Sequence, residues 1–356
     1  MREVSISFVG AVGLPNRYGG FEAFLEHCAP VMARKGALIT VTCDAKVYPD
    51  RRPDYSGVRR VFINVPANGV WSILHDFLAF FSVIGFSKYV VFLGVSGGIW
   101  FPLFRGVADL LGVKLLVNVD GVEWQRAKYR GFRKKFLWFS DRVAQFFSHK
   151  VVYDNAALRE YVSSRSRARA VMIAYPGDYV MRVDGVVRQA YTALTVCRIE
   201  PENNIEMLIL GALQSSVDQY VLVGNWEASV YGRELRERYR CESRLVMLDP
   251  VYEPMELARL REGCSVYIHG HSVGGTNPSL VEMLFYDCRI LCFDVPYHRE
   301  TTWGYAEFFS SPEELGSLLS ARSSGCVDLD ARKRLRQVYT REAISRMYID
   351  ACVSCQ

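Results

Sequence analysis

At 356 residues, half of them hydrophobic, the chain is long enough for two domains, each with a sizeable core, which excludes a disordered segment or a single small module. Its net charge of +5 is unevenly placed: residues 126–150 carry eight cations against Asp141 alone, a net +7 that leaves the rest of the chain at −2. A generally basic protein is therefore excluded, and a local basic patch needs an explanation.

The chain starts almost at once on a strand. Val4 to Val9 is a continuous apolar run ending in glycine, as in a strand buried on both faces, so no signal peptide is expected before it. The loop GAVGLPNRYGG follows, then a helix from Phe21 to Lys35 and a strand from Leu38 to Cys43. The longest apolar run, Val70 to Phe86, contains His75 and Asp76 and falls short of the roughly 20 apolar residues a membrane span needs, so it is read as a buried helix. Tyr89 to Leu93 is a strand ending in LGVSGG, and Lys114 to Val119 another ending in DGVEW.

A second series begins near Ala193. The strands are ALTVCRI, Gln219 to Val223, Arg244 to Leu248, Ser265 to His269 and Arg289 to Asp294. Helices are expected over Asn204 to Gln214, from Met255 to Arg261 and from Ser279 to Phe285, with a last helix over Ala331 to Asp350. Alternation of this kind implies two doubly wound α/β units with mainly parallel sheets, joined around residues 175–187. Domains are expected over residues 1–178 and 179–340, with residues 341–356 packing back on the first.

The ten cysteines lie mostly in apolar runs, as Cys43, Cys197, Cys264 and Cys292 do, which is the pattern of reduced, buried thiols in the cytoplasm. Cys352 and Cys355 have CxxC spacing but no second pair at metal-site spacing. Asp328 and Asp330 form a DxD that reads as a helix start.

Ligands of open α/β sheets bind beyond the carboxyl ends of the strands, and the charge, glycine and aromatics of this chain concentrate in those loops. In GHSVGGTNPSLVEMLF, Gly274 and Gly275 allow close backbone approach, Thr276 follows, and Asn277, Pro278 and Ser279 open a helix whose free N–H groups attract phosphate. Glu282, read on its first turn, can accept from ribose hydroxyls or be a favourable first-turn charge. In CRIEPENN, Arg198 follows a buried strand and its planar fork suits a diphosphate, or pairs with Glu200 or Glu202; Asn203 and Asn204 close the loop. GLPNRYGGFEAF, with Gly13, Tyr18, Gly19, Gly20 and Glu22, lacks the spacing of a dinucleotide fingerprint, which weighs against an NAD enzyme. DGVEWQRAK crowds Asp120, Glu123, Trp124, Arg126 and Lys128 into one strand-end loop, a mixture that suits a sugar. In GFRKKFLWFSDRVAQFFSHK, Phe132, Phe136, Val143 and Phe147 share a helix face read as packing inward. Arg130, Arg133, Lys134, Lys135, Trp138 and Arg142 then suit an anionic membrane surface, and no nucleic-acid motif accompanies them.

Taken together, GLPNRYGGFEAF, NVDGVEWQRAKY, VCRIEPENN, VGNWEASVYGRELRERY, LDPVY and YIHGHSVGGTNPSLVEML resemble the GT-B glycosyltransferases of family GT4. The similarity is to the bacterial rhamnosyltransferase branch, with its DUF1972-type N-terminal domain. The resemblance implies two Rossmann-like domains facing each other across a cleft, with the nucleotide sugar held by the C-terminal one. It implies Arg198 on the diphosphate, Glu282 on the ribose and the helix after Pro278 under a phosphate. Gly274 stands where the wider family has an acidic residue, Asn203 where it has a lysine, and Asp120 where many members have a histidine. Asp120 is then expected beside the reacting sugar carbon, with Glu123 or Arg126 positioning the acceptor, and Gly13, Tyr18, Gly19, Gly20 and Glu22 form the acceptor-side loop. The implied reaction moves L-rhamnose from dTDP-L-rhamnose, without a metal, onto a polyprenyl-diphosphate-linked saccharide in surface polysaccharide assembly. The implied location is cytoplasmic, peripheral on the inner face of the cell membrane. A UDP- or GDP-sugar donor and a non-catalytic nucleotide-sugar-binding subunit are the alternatives.

Overall fold

The computed structural model describes residues 4–119, 121–125, 129–187, 190–321 and 329–355, apart from the side chains of Glu123 and Leu329. The chain divides into two compact units: residues Met1–Pro176 with Tyr339–Gln356, and Gly177–Val338. The expected strands form because each is a short apolar run that a parallel sheet covers on both faces.

In the first unit, β1 (Ser5–Val9) leads through α1 (Gly20–Arg34) to β2 (Leu38–Asp44). A short antiparallel pair, β3 (Asp54–Tyr55) and β4 (Val58–Ile63), comes next, with β4 parallel to β2. Then α2 (Ser72–Val83), β5 (Tyr89–Leu93), α3 (Phe101–Leu111), β6 (Lys114–Asn118), α4 (Gly131–Phe147), β7 (Lys150–Tyr153) and β8 (Ala170–Met172) alternate. The sheet order is β3-β4-β2-β1-β5-β6-β7-β8, so the chain winds outward from β1 in both directions. Right-handed crossovers place α1 on one face and α2, α3 and α4 side by side on the other.

The second unit holds β9 (Thr192–Val196), α5 (Ile205–Leu213), β10 (Gln219–Val223), α6 (Val230–Arg238), β11 (Leu245–Leu248) and α7 (Pro254–Gly263). It continues with β12 (Val266–His269), α8 (Pro278–Met283), β13 (Arg289–Phe293), α9 (Pro296–Thr302), β14 (Glu307–Phe309), α10 (Pro312–Ser320) and α11 (Leu329–Val338). Its six-stranded sheet runs β11-β10-β9-β12-β13-β14, with every pair parallel. Trp226, Leu208, Leu222 and Ile268 sit in its buried core.

Three expectations are corrected. The single last helix is two: α11 ends at Val338, and α12 (Arg341–Val353) starts where Thr340 caps it by accepting from Ala343 N. α12 lies against α1 in the first unit, where Ser345 Oγ donates to Cys28 O (3.2 Å) and the Tyr348 ring meets Phe24. Second, the run from Val70 to Phe86 is buried on one side only. His75, Asp76, Ala79, Phe80 and Val83 face the protein, whereas Trp71, Leu74, Leu78 and Phe81 face solvent. Third, the face of α4 expected to pack inward does so only in part: Phe132 is 82% exposed and Phe136, Val143 and Phe147 are half-buried, while the buried positions are Ser140, Asp141, Ala144 and Gln145. Close approach explains the difference. A Cβ on Gly98 would lie 2.1 Å from Ser140 O, a separation only small facing residues permit. Gln145 then ties the helix down, accepting from Ser163 N (2.7 Å) and donating to Asp141 (2.8 Å).

Candidate functional site

In the second unit the strand ends of β9 and β12 bring CRIEPENN and HGHSVGG together. Ser272 N and Oγ both donate to Glu202 O, at 2.9 and 2.8 Å, and Asn204 Nδ2 donates to Gly270 O at 2.9 Å. A Cβ on Gly270 would lie 2.4 Å from Asn203 O, so only glycine allows this seam. Asn203 is buried and donates to Arg198 O (2.6 Å), while Asn204 turns the chain at φ 53°. These two asparagines, expected to touch the donor, also shape the backbone of the loop. Arg198 pairs loosely with Glu200, at 3.7 Å, the ion pair that was the alternative to a diphosphate, and its side chain stays 58% exposed. The third strand end closes in as well, since a Cβ on Gly224 would lie 2.5 Å from Cys197 O.

Gly274 has φ +142° and open space where a side chain would be, so the loop is bare toward solvent there. Thr276 is buried. Asn277 Oδ1 accepts from Ser279 N (3.1 Å) and Ser279 Oγ (2.8 Å), an N-cap that occupies one of the N–H groups expected to meet phosphate. Pro278 opens α8, a helix of only six residues. Glu282 lies in its second turn, not its first. Its Oε1 accepts from Tyr179 Oη and its Oε2 from the guanidinium of Arg261. Arg261 is 6% exposed. Burial acts to lower its pKa, and the Glu282 carboxylate leads the neighbours that more than reverse this, so Arg261 stays charged. Glu282 is therefore half of a buried ion pair, whose remaining lone pairs alone are left for a ligand.

Sequence reasoning missed a histidine stack behind this loop. His269 and His271 stack at 4.3 Å with planes 13° apart, and His298 from α9 meets His269 edge-on at 4.7 Å. Burial pushes His269 well below its ordinary pKa, and burial pushes His298 down to about 4, so both are neutral at pH 7. The HGH spacing was visible, but nothing in the sequence linked it to His298.

In the first unit the loop after β1 is held from below. Glu22 is buried and accepts from Val12 N (2.7 Å), Glu26 accepts from Asn16 N (3.2 Å), and Tyr48 Oη donates to Pro15 O (2.5 Å). Glu22, expected to cap the helix or meet a sugar, thus fixes the loop. Gly13 admits no side chain, because a Cβ would lie 2.6 Å from Cys43 Sγ. Gly20 opens α1, Gly19 precedes it as its N-cap, and Tyr18 is 70% exposed at the loop tip. The loop after β5 is held by Asp76, which accepts from Ser96 Oγ (3.0 Å) and Gly97 N (2.9 Å). Burial raises the Asp76 carboxyl to about 7.

After β6, Asp120, Arg126, Lys128 and the side chain of Glu123 lie outside the described residues. Val122 beside them holds φ +54°, a left-handed conformation that a β-branched residue rarely adopts and that is found at functional turns. On α4, Arg130, Arg133, Lys134, Lys135 and Trp138 are exposed. Arg142 is not part of that surface: it is half-buried and donates to Tyr161 O (2.9 Å).

Residues 1–178, half of the chain, match the domain of unknown function DUF1972. The chain belongs to the DUF1972 family. No curated protein matches this DUF1972 chain by sequence. Among solved structures it is similar to sucrose-phosphate synthase from Thermosynechococcus elongatus, at TM-score 0.80 and 14% identity over 99% of this chain and 100% of that one. It is also similar to α,α-trehalose 6-phosphate synthase from Burkholderia multivorans, at TM-score 0.69 and 9% identity over 99% of each chain. The lipopolysaccharide outer core galactosyltransferase WaaB matches at TM-score 0.63 and 10% identity, over 99% of this chain and 100% of that one. The fold of this DUF1972 protein is GT-B, the fold of those glycosyltransferases. Among its described residues, no group of three or more His, Cys, Asp or Glu is placed to hold a metal ion.

Proposed function

We propose that this protein is a glycosyltransferase that moves L-rhamnose from dTDP-L-rhamnose onto a polyprenyl-diphosphate-linked saccharide at the cytoplasmic face of the membrane. The observation that carries the donor side is the stitched pair of strand-end loops in the second unit, with the Arg198 side chain exposed in one of them and only loosely paired with Glu200. In the transfer an acceptor hydroxyl oxygen bonds to the sugar C1 and gives up its proton to solvent, while the bond from C1 to the diphosphate oxygen breaks and negative charge grows on the leaving diphosphate. Arg198 donates to that diphosphate, and the backbone N–H groups of Gly274 and Gly275 approach it where no side chain intervenes. Their contribution grows with the charge, so it lowers the barrier as well as binding the donor. The choice of rhamnose, the GT4 rhamnosyltransferase branch and the independence from metal rest on the sequence resemblance. So do the roles of Asp120 beside the reacting carbon and of Glu123 and Arg126 toward the acceptor.

Calorimetric titration with dTDP, UDP, GDP and NAD, without metal, tests the reading. Tight binding of dTDP over the others is the expected result. A preference for UDP or GDP would discard rhamnose, and binding of NAD alone would overturn the transferase. Bound dTDP with neither transfer nor hydrolysis of any donor would leave a nucleotide-sugar-binding subunit. Arg198→Ala is expected to weaken dTDP by roughly 1.5–3 kcal/mol, the worth of a hydrogen bond to a charged group, and to leave thymidine binding unchanged. Equal losses for dTDP and thymidine would remove Arg198 from the diphosphate.

A further inference from the structure

The helices α2, α3 and α4 form one layer on one face of the first unit's sheet. Phe77 of α2 contacts Trp100 (4.8 Å) and Phe104 of α3 (6.2 Å), and Gly98, just before α3, abuts Ser140 of α4. A surface helix ordinarily turns its apolar side to the core and its polar side to water. Here α4 departs from this: it buries Ser140, Asp141 and Gln145 with Ala144, half-buries Phe136, Leu137, Val143 and Phe147, and exposes Phe132, Trp138, Phe139 and Phe146. On α2, Trp71, Leu74, Leu78 and Phe81 follow one another at spacings of three and four, a single exposed stripe without a charge. Of the 16 large hydrophobics exposed in the described first unit, 13 lie on these helices or at their ends. Single exposed apolar side chains are ordinary, but a set gathered on adjacent helices marks an interaction surface.

The charges of this layer choose its partner. Arg130, Arg133, Lys134 and Lys135 are exposed at the start of α4, and the one acid of that helix, Asp141, is buried. The acid on α3, Asp109, is already paired with Arg105 at 2.7 Å. A second copy docking through the same face would set cations against cations, whereas an anionic bilayer supplies both the opposite charge and an apolar interior. Residues Gly69–Phe86 are long and apolar enough to cross a membrane. Yet the inner side of α2 is committed to the sheet and carries the buried His75 and Asp76, so only its outer side is open to a bilayer and α2 does not span one.

We propose that the α2–α4 layer is the face by which this protein inserts into an anionic lipid bilayer. The cations of α4 engage the headgroups, and the α2 stripe with Trp138 and Phe139 enters the acyl boundary. This deepens the reading of a lipid-linked acceptor, but its test needs no sugar. Vesicles of phosphatidylglycerol mixed with phosphatidylcholine, and of phosphatidylcholine alone, are compared by co-sedimentation. A variant combining Leu74→Ser, Leu78→Ser and Phe81→Ser is expected to lose binding to mixed vesicles by about tenfold or more. Replacing Arg133, Lys134 and Lys135 with Ser is expected to lose roughly 100-fold on mixed vesicles and nothing on phosphatidylcholine. Both variants are expected to keep wild-type dTDP affinity. Brominated acyl chains are expected to quench the fluorescence of the wild type through Trp71 and Trp138, which decides the matter should a variant fail to fold. Unaltered vesicle binding by the apolar variant, absent quenching, or a wild-type dimer that the apolar variant dissociates would each overturn the proposal. A wild type that binds vesicles but no nucleotide would remove the donor reading and leave this face standing.

Discussion

Glu282→Ala is expected to destabilise the second unit by about 3–5 kcal/mol, the cost of leaving one member of a buried ion pair without its partner. The stranded member would be Arg261, which is 6% exposed and held charged by the Glu282 carboxylate. Tyr179 would lose its acceptor at the same time. For a unit of this size the melting temperature should fall by roughly 10 °C. The loss is expected to be smaller in Glu282→Gln, which keeps an oxygen for Tyr179 or Arg261. It should be recovered in part by Arg261→Met combined with Glu282→Leu, which removes both charges. Thermal melts of the four proteins check this. A Glu282→Ala protein melting within about 1 kcal/mol of wild type would show that the pair carries no stability. The consequence for function is direct: a drop in dTDP affinity in Glu282→Ala alone cannot be assigned to the ribose. Only a drop in the charge-neutral double variant at a temperature where it is fully folded, absent for free thymine, would place the carboxylate on the sugar of the nucleotide.

Asp76→Asn is expected to change how stability depends on pH. Burial holds the Asp76 carboxyl at about 7, against an ordinary value of 3.8. Between those values the unfolded chain releases this proton and the folded chain keeps it. Stability from Asp76 is therefore full below about pH 4 and falls as pH rises toward 7, by about 1.4 kcal/mol per pH unit. Asparagine does not titrate and can still accept from Ser96 Oγ and Gly97 N. Relative to wild type, Asp76→Asn should gain roughly 2–3 kcal/mol between pH 5 and pH 8. Urea midpoints at the two pH values measure it. Burial also raises Asp141, to about 6, but that contribution is common to both proteins and cancels in the comparison. An identical difference at pH 5 and pH 8 would mean that Asp76 is ionised in the fold throughout. The loop after β5 would then be held by a charge, where a neutral acid is expected.

Much of the scaffold could be read from the residues because each feature is local. Tyr89–Leu93 and Gln219–Val223 are strands with the expected ends, since an apolar run buried on both faces carries its own boundaries. The strand-end loops were equally visible as places where glycine and charge gather. Where contacts run between distant residues, the sequence carried less. Glu282 looked like a lone carboxylate because Arg261 and Tyr179, which claim it, come from other segments. The bonds that Asn203 and Asn204 make to the carbonyls at positions 198 and 270 were hidden, because those partners are backbone groups that no pattern announces.

Two parallel α/β sheets, the loops that crown them and a basic stretch in the first unit are all legible in the residues. Each depends on properties that neighbouring residues share, namely hydrophobic runs, turn chemistry and charge. Which side of each helix faces water depends instead on contacts between residues far apart in the chain. On α4 the choice fell to Gly98, whose missing side chain lets Ser140 seat against it and leaves Phe132, Phe139 and Phe146 outward. Periodicity names the faces of a helix, but the partner's shape selects between them, because close packing rewards fit at the contact over hydrophobicity alone.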